Sequence, residues 1–177
     1  MYIKKTLFAG LCCAFLVSAP VICSEIATEN CQADNTLREC DESLVVAINN
    51  CDGDGIKAAL ACGAQVNLDL EDGCTPLCVA VMQTTVGKDP REIIRVLLDA
   101  GASRNVTVVI QEQKATIQQL AQMCVEGWNY EVQEYSARVA ESVNQDVPEN
   151  ERALLNEYRE ACVMMAEIAQ DVCSMIS

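Results

Sequence analysis

Apolar positions along the chain fall into three kinds of stretch. The first is Thr6–Cys23, which has no charged residue in 18 positions and follows the two lysines of Met1–Lys5. In the middle, Leu77, Ala80 and Val81 form one short stripe, and Ile93, Ile94, Leu97 and Leu98 form another, at the three- and four-residue spacing of amphipathic helices. The third lies towards the C-terminus, where Asn129–Gln145 predicts one helix. Pro148 and the acidic run after it start a further helix reaching about Met175. Its stripe is Leu154, Leu155, Tyr158, Cys162, Met165, Ala169, Val172 and Met175–Ile176, the pattern of a covering helix. The segment Val106, Val108, Ile110 breaks the helical rhythm. It alternates with Thr107 and Val109, which suits an extended strand.

The middle stretch repeats. Shifted by 33 residues, Leu44 falls on Leu77, Val46 on Val79 and Ala47 on Ala80. Ala59-Leu60 recurs as Leu97-Leu98, and Gly63-Ala64 as Gly101-Ala102, with five extra residues within "TTVGKDP" of the second unit. A weaker third copy begins at Thr116, where "TIQQLA" lies over "TPLCVA". Periods in the thirties mark stacked units that cannot bury their apolar faces alone. Each unit carries its own punctuation. Gly73 supplies a turn, Thr75 is placed to cap a helix through its hydroxyl, and Pro76 fits the first helical position, where no N–H is needed. Gly101 can close the second helix in a left-handed conformation.

These marks resemble the ankyrin repeat. Gly73, Thr75, Pro76, Leu77, Ala80, Leu97, Leu98, Gly101 and Ala102 carry the resemblance, which is strong over about residues 41–105 and weak over 113–143. It implies an all-α, helix-turn-helix solenoid of about three repeats, 39–71, 72–110 and a degenerate 111–145. A polar N-terminal segment, 24–38, and a C-terminal helix, 146–177, would cap the two ends. It also implies a protein–protein interaction scaffold that recognises partners at its loop tips and on the exposed face of its first helices. One feature departs from the pattern. The histidine usual two residues after the proline is Cys78 here and Val45 in the first unit, and the chain contains no histidine. A thiol is a weaker donor, so that polar tie is missing.

Composition narrows the function. The chain has 177 residues, is 51% hydrophobic but only 4% aromatic, and carries a formal charge of −14. So acidic a surface repels phosphates and anionic headgroups, which argues against nucleic acid as a partner. The leader has the layout of a cleaved secretory signal over residues 1–23, giving an exported protein, periplasmic or secreted. A retained membrane anchor and a lipoprotein acylated at Cys23 are the alternatives, and only they would bring a membrane partner.

Outside the leader stand nine cysteines, Cys31, Cys40, Cys51, Cys62, Cys74, Cys78, Cys124, Cys162 and Cys173. In an oxidising compartment these are disulfide candidates. Cys162 and Cys173 are excluded as mutual partners, because eleven residues of one helix separate them by roughly 16 Å. Cys124 with either is geometrically more reasonable. The same nine thiols motivate an alternative function, a thiol-based redox or metal-binding protein of the cell envelope. Against metal binding, Cys74-x-x-x-Cys78 is the closest pair outside the leader, and no C-x-x-C or histidine accompanies it. "DGDG", with Asp52 and Asp54, lacks the spaced carboxylates of a calcium loop and reads as an interhelical turn. Without histidine there is no Ser-His or Cys-His nucleophile. The expectation is therefore a non-catalytic binding protein with no cofactor, no metal and a protein partner that the sequence leaves unidentified.

Two fates are open for the finger between the second and third units, Ser103–Gln113. It folds back on its neighbours, on the third unit or the finger Val66–Leu70. Alternatively Val106, Val108 and Ile110, with Leu70, Glu71 and Asp72 beside them, form the recognition surface.

Overall fold

The computed structural model describes residues 32–70, 73–110, 112–145 and 147–177. The apolar leader with its signal expectation, Cys31, Glu71 and Asp72 lie outside the described residues. The described chain is mostly helical, as its periodicity predicts. In order it forms α1 (Gln32–Asn49), α2 (Gly53–Cys62), α3 (Pro76–Met82) running into a 3₁₀ turn (Gln83–Val86), and α4 (Arg91–Asp99). A hairpin of β1 (Thr107–Ile110) and β2 (Gln113–Thr116) follows, then two long helices, α5 (Ile117–Asn144) and α6 (Glu149–Ile176).

Helices α1–α2 and α3–α4 pack as two pairs. Leu44 and Leu77 are fully buried, as are Ile48 and Val81, and so are Ile56 and Ile94 in the second helices. At the end of α2, Gly63 N donates to Leu60 O (3.1 Å) and Ala64 N to Ala59 O (3.0 Å). At the end of α4 the same bonds run from Gly101 N to Leu98 O (3.0 Å) and from Ala102 N to Leu97 O (2.9 Å). Both glycines are left-handed, at φ 112° and 91°, so the otherwise orphaned last carbonyls find donors without a Cβ penalty.

Helix starts differ between the two pairs. Pro76 occupies the first turn of α3 as expected, but Thr75 makes no cap to the helix backbone. Its hydroxyl instead donates to the Cys78 sulfur at 3.6 Å, because the side chain is buried and turned inward beside that thiol. Helix α2 is capped by a side chain, with Asp52 Oδ1 accepting from Gly55 N at 3.0 Å. The segment expected as a loose N-terminal cap is already helical from Gln32, as the first part of α1.

The extra residues of the second unit serve as a junction. Lys88 Nζ donates to the Asn49 carbonyl at the end of α1. Arg91 bridges Asp89 and, on α6, Asp171, each at 2.7 Å. Thr84 is fully buried, and its carbonyl accepts the indole N–H of Trp128 on α5 at 2.9 Å. The insertion thus joins the first pair, the second pair and both long helices.

The third unit departs from the expectation. It begins where predicted, at Thr116, with a reciprocal capping box: Gln119 N donates to Thr116 Oγ1 (3.2 Å) and Thr116 N to Gln119 Oε1 (2.8 Å). It does not then turn. Helix α5 runs unbroken for 28 residues and pairs with the 28-residue α6 along its length. The reason lies in spacing. Ala121, Val125, Trp128, Val132, Tyr135, Val139 and Ser142 follow steps of four and three, as do Leu155, Arg159, Cys162, Ala166, Ala169, Cys173 and Ile176 on α6. Two such lines pack as a heptad seam, and continuing it buries more apolar surface than turning back. Pro148 starts α6 where expected.

Candidate functional site

The finger expected to recognise a partner is folded back. Val108 is buried at 1% exposure, and Leu70, Val106 and Ile110 are half-buried against the same core. Strand β1 pairs antiparallel with β2, Val108 opposite Ala115 and Thr107 opposite Thr116. On its other side it meets the preceding finger, where a Cβ on Gly73 would stand 2.4 Å from the Thr107 carbonyl oxygen. Gly73 is left-handed as well, at φ 77°. That close approach gives the glycine a second reason beyond its turn. The recognition assignment for Val108 is therefore corrected. The alternating pattern marks a strand whose inward residue belongs to the core, and on β1 the outward apolar residue is Val109.

The fingers are also tied to the stack by side chains. Asn67 Nδ2 donates to Gly101 O (3.2 Å) while its Oδ1 accepts from Ser103 N (2.8 Å), so the first finger clamps the end of α4. Asp41 Oδ1 on α1 accepts from Gln65 N at 2.7 Å, holding the start of that finger. These ties hold the fingers in place and leave little for a partner to order.

The motif residues take structural roles. Leu77, Ala80 and Leu97 are fully buried, Ala102 and Thr75 nearly so, Pro76 is buried, and Leu98 lies half-buried against the core. Among the cysteines, Cys40 on α1 and Cys62 on α2 stand at disulfide distance, with Cα atoms 6.0 Å apart. That pairing holds the first helix pair together. Cys162 and Cys173 lie on one helix, as the sequence requires, and neither forms a disulfide with Cys124. Cys173 donates to Gln122 Oε1 at 3.7 Å. Cys51, at the α1–α2 turn, is half-exposed, and burial pushes its thiol up.

Cys74 and Cys78 form the most polarised pair. The Cys74 thiol donates to Cys78, which brings Cys78 down to about 6; burial opposes this and Thr75 assists it. The same contact and burial push Cys74 up. Both side chains are buried, Cys78 fully, so no substrate reaches the sulfur in this conformation. Among the described residues no three Cys, Asp or Glu side chains converge as metal ligands do.

Among the described residues two surfaces stand open. The first is a shallow groove of about 480 Å³ along α1 and the start of α2. Val46, 58% exposed, is its apolar floor, and Glu39, Glu42, Asn50 and Asp52 form its polar walls. Glu42 pairs with the exposed Arg38 at 3.8 Å. The second is the outer half of the α5–α6 pair. There Leu154 and Tyr158 of the expected covering stripe are 64% and 53% exposed, because α6 outruns the helix pairs it covers. Sequence reasoning missed this overhang. The four-and-three spacing through Ala121–Ser142 was the available signal.

No family model matches the chain, and neither a curated protein nor a solved structure matches it. No helix of the described residues is long and apolar enough to cross a membrane.

Proposed function

We propose that this protein is an exported, ankyrin-type interaction scaffold without catalytic activity, and that it binds a protein partner along the α1 groove. The observation that carries the reading is the recurrence, at matching positions of two helix pairs, of the same buried residues and the same glycine-closed helix ends. Such units stack their inner faces and leave the outer face of each first helix to solvent. Val46 occupies that outer face and its counterpart Val79 is half-buried. An apolar floor with acidic walls favours a partner segment that offers an apolar anchor beside lysine or arginine.

Capture from the extracellular or periplasmic fraction of the native cell tests the reading. Wild-type protein is expected to retain a partner that Val46→Lys loses, with helix content unchanged. Equal recovery by the two proteins would sink the groove assignment, and recovery of nothing by either would sink the scaffold reading. The thiol-based alternative is favoured by one observation, the neighbouring Cys74 and Cys78 thiols with the Thr75 hydroxyl donating to the Cys78 sulfur at 3.6 Å. It requires that sulfur to react in the folded protein. Labelling with a small alkylating reagent at neutral pH distinguishes the two: a scaffold protects Cys78 until it unfolds, whereas a redox centre labels at once.

A further inference from the structure

One line of α6 runs Leu154, Tyr158, Ala161, Met165, Ile168, Val172 in steps of four and three. The last three are buried, and on the same side of the molecule Asp171 pairs with Arg91 of α4. The first three are exposed. They continue the covering face beyond the helices it covers. Beside them Tyr135 of α5 stacks on Tyr158 with ring centroids 4.4 Å apart. Tyr135 belongs to the same α5 line as Trp128, whose indole is anchored on Thr84. Trp128 marks where cover ends. From there to Asn144 the overhang is about 25 Å long at about 1.5 Å per residue. Along this overhang the exposed apolar line Leu154–Ala161 spans seven residue steps, about 10 Å, and a two-helix hairpin with such a flank has room for a third helix beside it.

Charge decides what the missing member is. Between Glu126 and Glu160 stand nine acids and three arginines. Of the arginines, Arg138 is spent on Glu134 (3.3 Å) and on the Tyr135 ring (5.0 Å to its centroid), and Arg152 and Arg159 have their Nε atoms buried. Glu151 and Glu157 are exposed alongside the stripe, while Glu160, further round the helix, pairs with Arg159 at 3.9 Å. A second copy would bring the same acids face to face. We propose that the overhanging face formed by Tyr135, Leu154, Tyr158 and Ala161 docks a basic amphipathic helix of a protein partner. Its apolar side lies on the stripe and its lysines or arginines lie against the flanking glutamates. The face lies on different elements from the α1 groove and rests on the scaffold reading only in that both bind protein.

The test uses the full chain and a synthetic helix of about 17 residues, matched to the overhang, with leucine at helical spacing and lysine elsewhere. A scrambled peptide of the same composition and a leucine–glutamate helix are the controls, and fluorescence anisotropy is read at low and high salt. The lysine helix is expected to bind at least about ten-fold more tightly than the scrambled peptide, and Leu154→Lys with Tyr158→Lys to remove that margin. Salt is expected to weaken the binding. Both residues are largely exposed, so helix content should be unchanged and the melting temperature should fall only slightly, through loss of the Tyr135–Tyr158 ring contact. Val163→Lys, on the opposite side of α6, should bind as wild type does. Binding of the scrambled peptide or the glutamate helix equal to that of the lysine helix overturns the proposal, as does tight binding by the double variant. A dimer that the double variant dissolves also overturns it, making a second copy the occupant. If native partner capture is lost by Val46→Lys while the lysine helix fails to bind, the docking face falls and the scaffold stands. If wild type captures nothing yet binds the lysine helix selectively, the scaffold reading of the groove falls and the face stands.

Discussion

At the residue scale, Gly73 shows how one position can be constrained twice. Its φ of 77° favours glycine, and the Thr107 carbonyl oxygen occupies the space a Cβ would need. A left-handed alanine costs about 1–2 kcal/mol, and the contact adds to it because strand backbone cannot move aside as a flexible side chain would. Gly73→Ala is therefore expected to destabilise by about 2 kcal/mol or more, read as a lower urea midpoint. A variant as stable as wild type would show that the finger does not lie on β1. The carboxyl of Asp89 provides a second residue-scale test. Hydrogen bonds from Arg91 hold it below its usual range, with burial opposing. A depressed folded pKa favours the ionised carboxylate in the folded state. Its contribution is complete above the unfolded value, about 3.9, and is lost as pH falls through the lower folded value. Arg91→Met should remove this acid-sensitive part. Its melting temperature is expected to lie below wild type near neutral pH, and the gap should narrow below about pH 4. A constant gap would show that Arg91 acts through packing alone.

Elements obey pattern until a neighbour offers more burial. Strand β1 was legible from alternation, but which of its faces looks inward was not, since Val106, Val108 and Ile110 could equally have faced a partner. Pairing with β2 and the approach of Gly73 decide it. Val106→Ser with Val108→Ser is accordingly expected to cost about 2–4 kcal/mol, through lost burial and a buried hydroxyl. It should lower the denaturation midpoint before it affects any binding. Unchanged stability would return those valines to the surface. Helix α5 makes the same point at greater length. Its start was visible in Thr116, and its stretch Asn129–Gln145 was read as helix. That the two join into one helix was not read from the sequence, because it depends on α6 lying along the whole of α5.

On the scale of the whole molecule, two short helix pairs are held at one end by a disulfide and at the other by a long helical hairpin. The Cys40–Cys62 link closes a loop of 22 residues, and a crosslink of that span contributes about 3 kcal/mol, chiefly by restricting the unfolded chain. Cys40→Ser is expected to lower the melting temperature clearly, and added reductant should then have no further effect. A large additional loss on reducing that variant would mean that a second disulfide contributes. The insertion Thr84–Pro90 matters at this scale too, since it joins both pairs to α5 and α6. The single tryptophan, Trp128, sits at that joint and its emission reports whether the hairpin is docked.

By itself the sequence determined the helical class, the glycines that close α2 and α4, the strand and the start of α6 at Pro148. Each follows from local chemistry: helical spacing, the left-handed tolerance of glycine, the missing N–H of proline. Of the nine cysteines from Cys31 onward, by contrast, the sequence excluded only the pair Cys162–Cys173, since connectivity depends on which helices are neighbours. Only the tertiary structure decided that Cys40 meets Cys62, that Thr75 turns to a thiol rather than a helix end, and that Val108 lies in the core. It alone decided that α6 extends past its support. A stripe in sequence records which residues are apolar along a face; whether that face is covered depends on how far the neighbouring elements reach. Leu154 and Met165 lie on one stripe, and the end of the second helix pair leaves one in water and the other in the core.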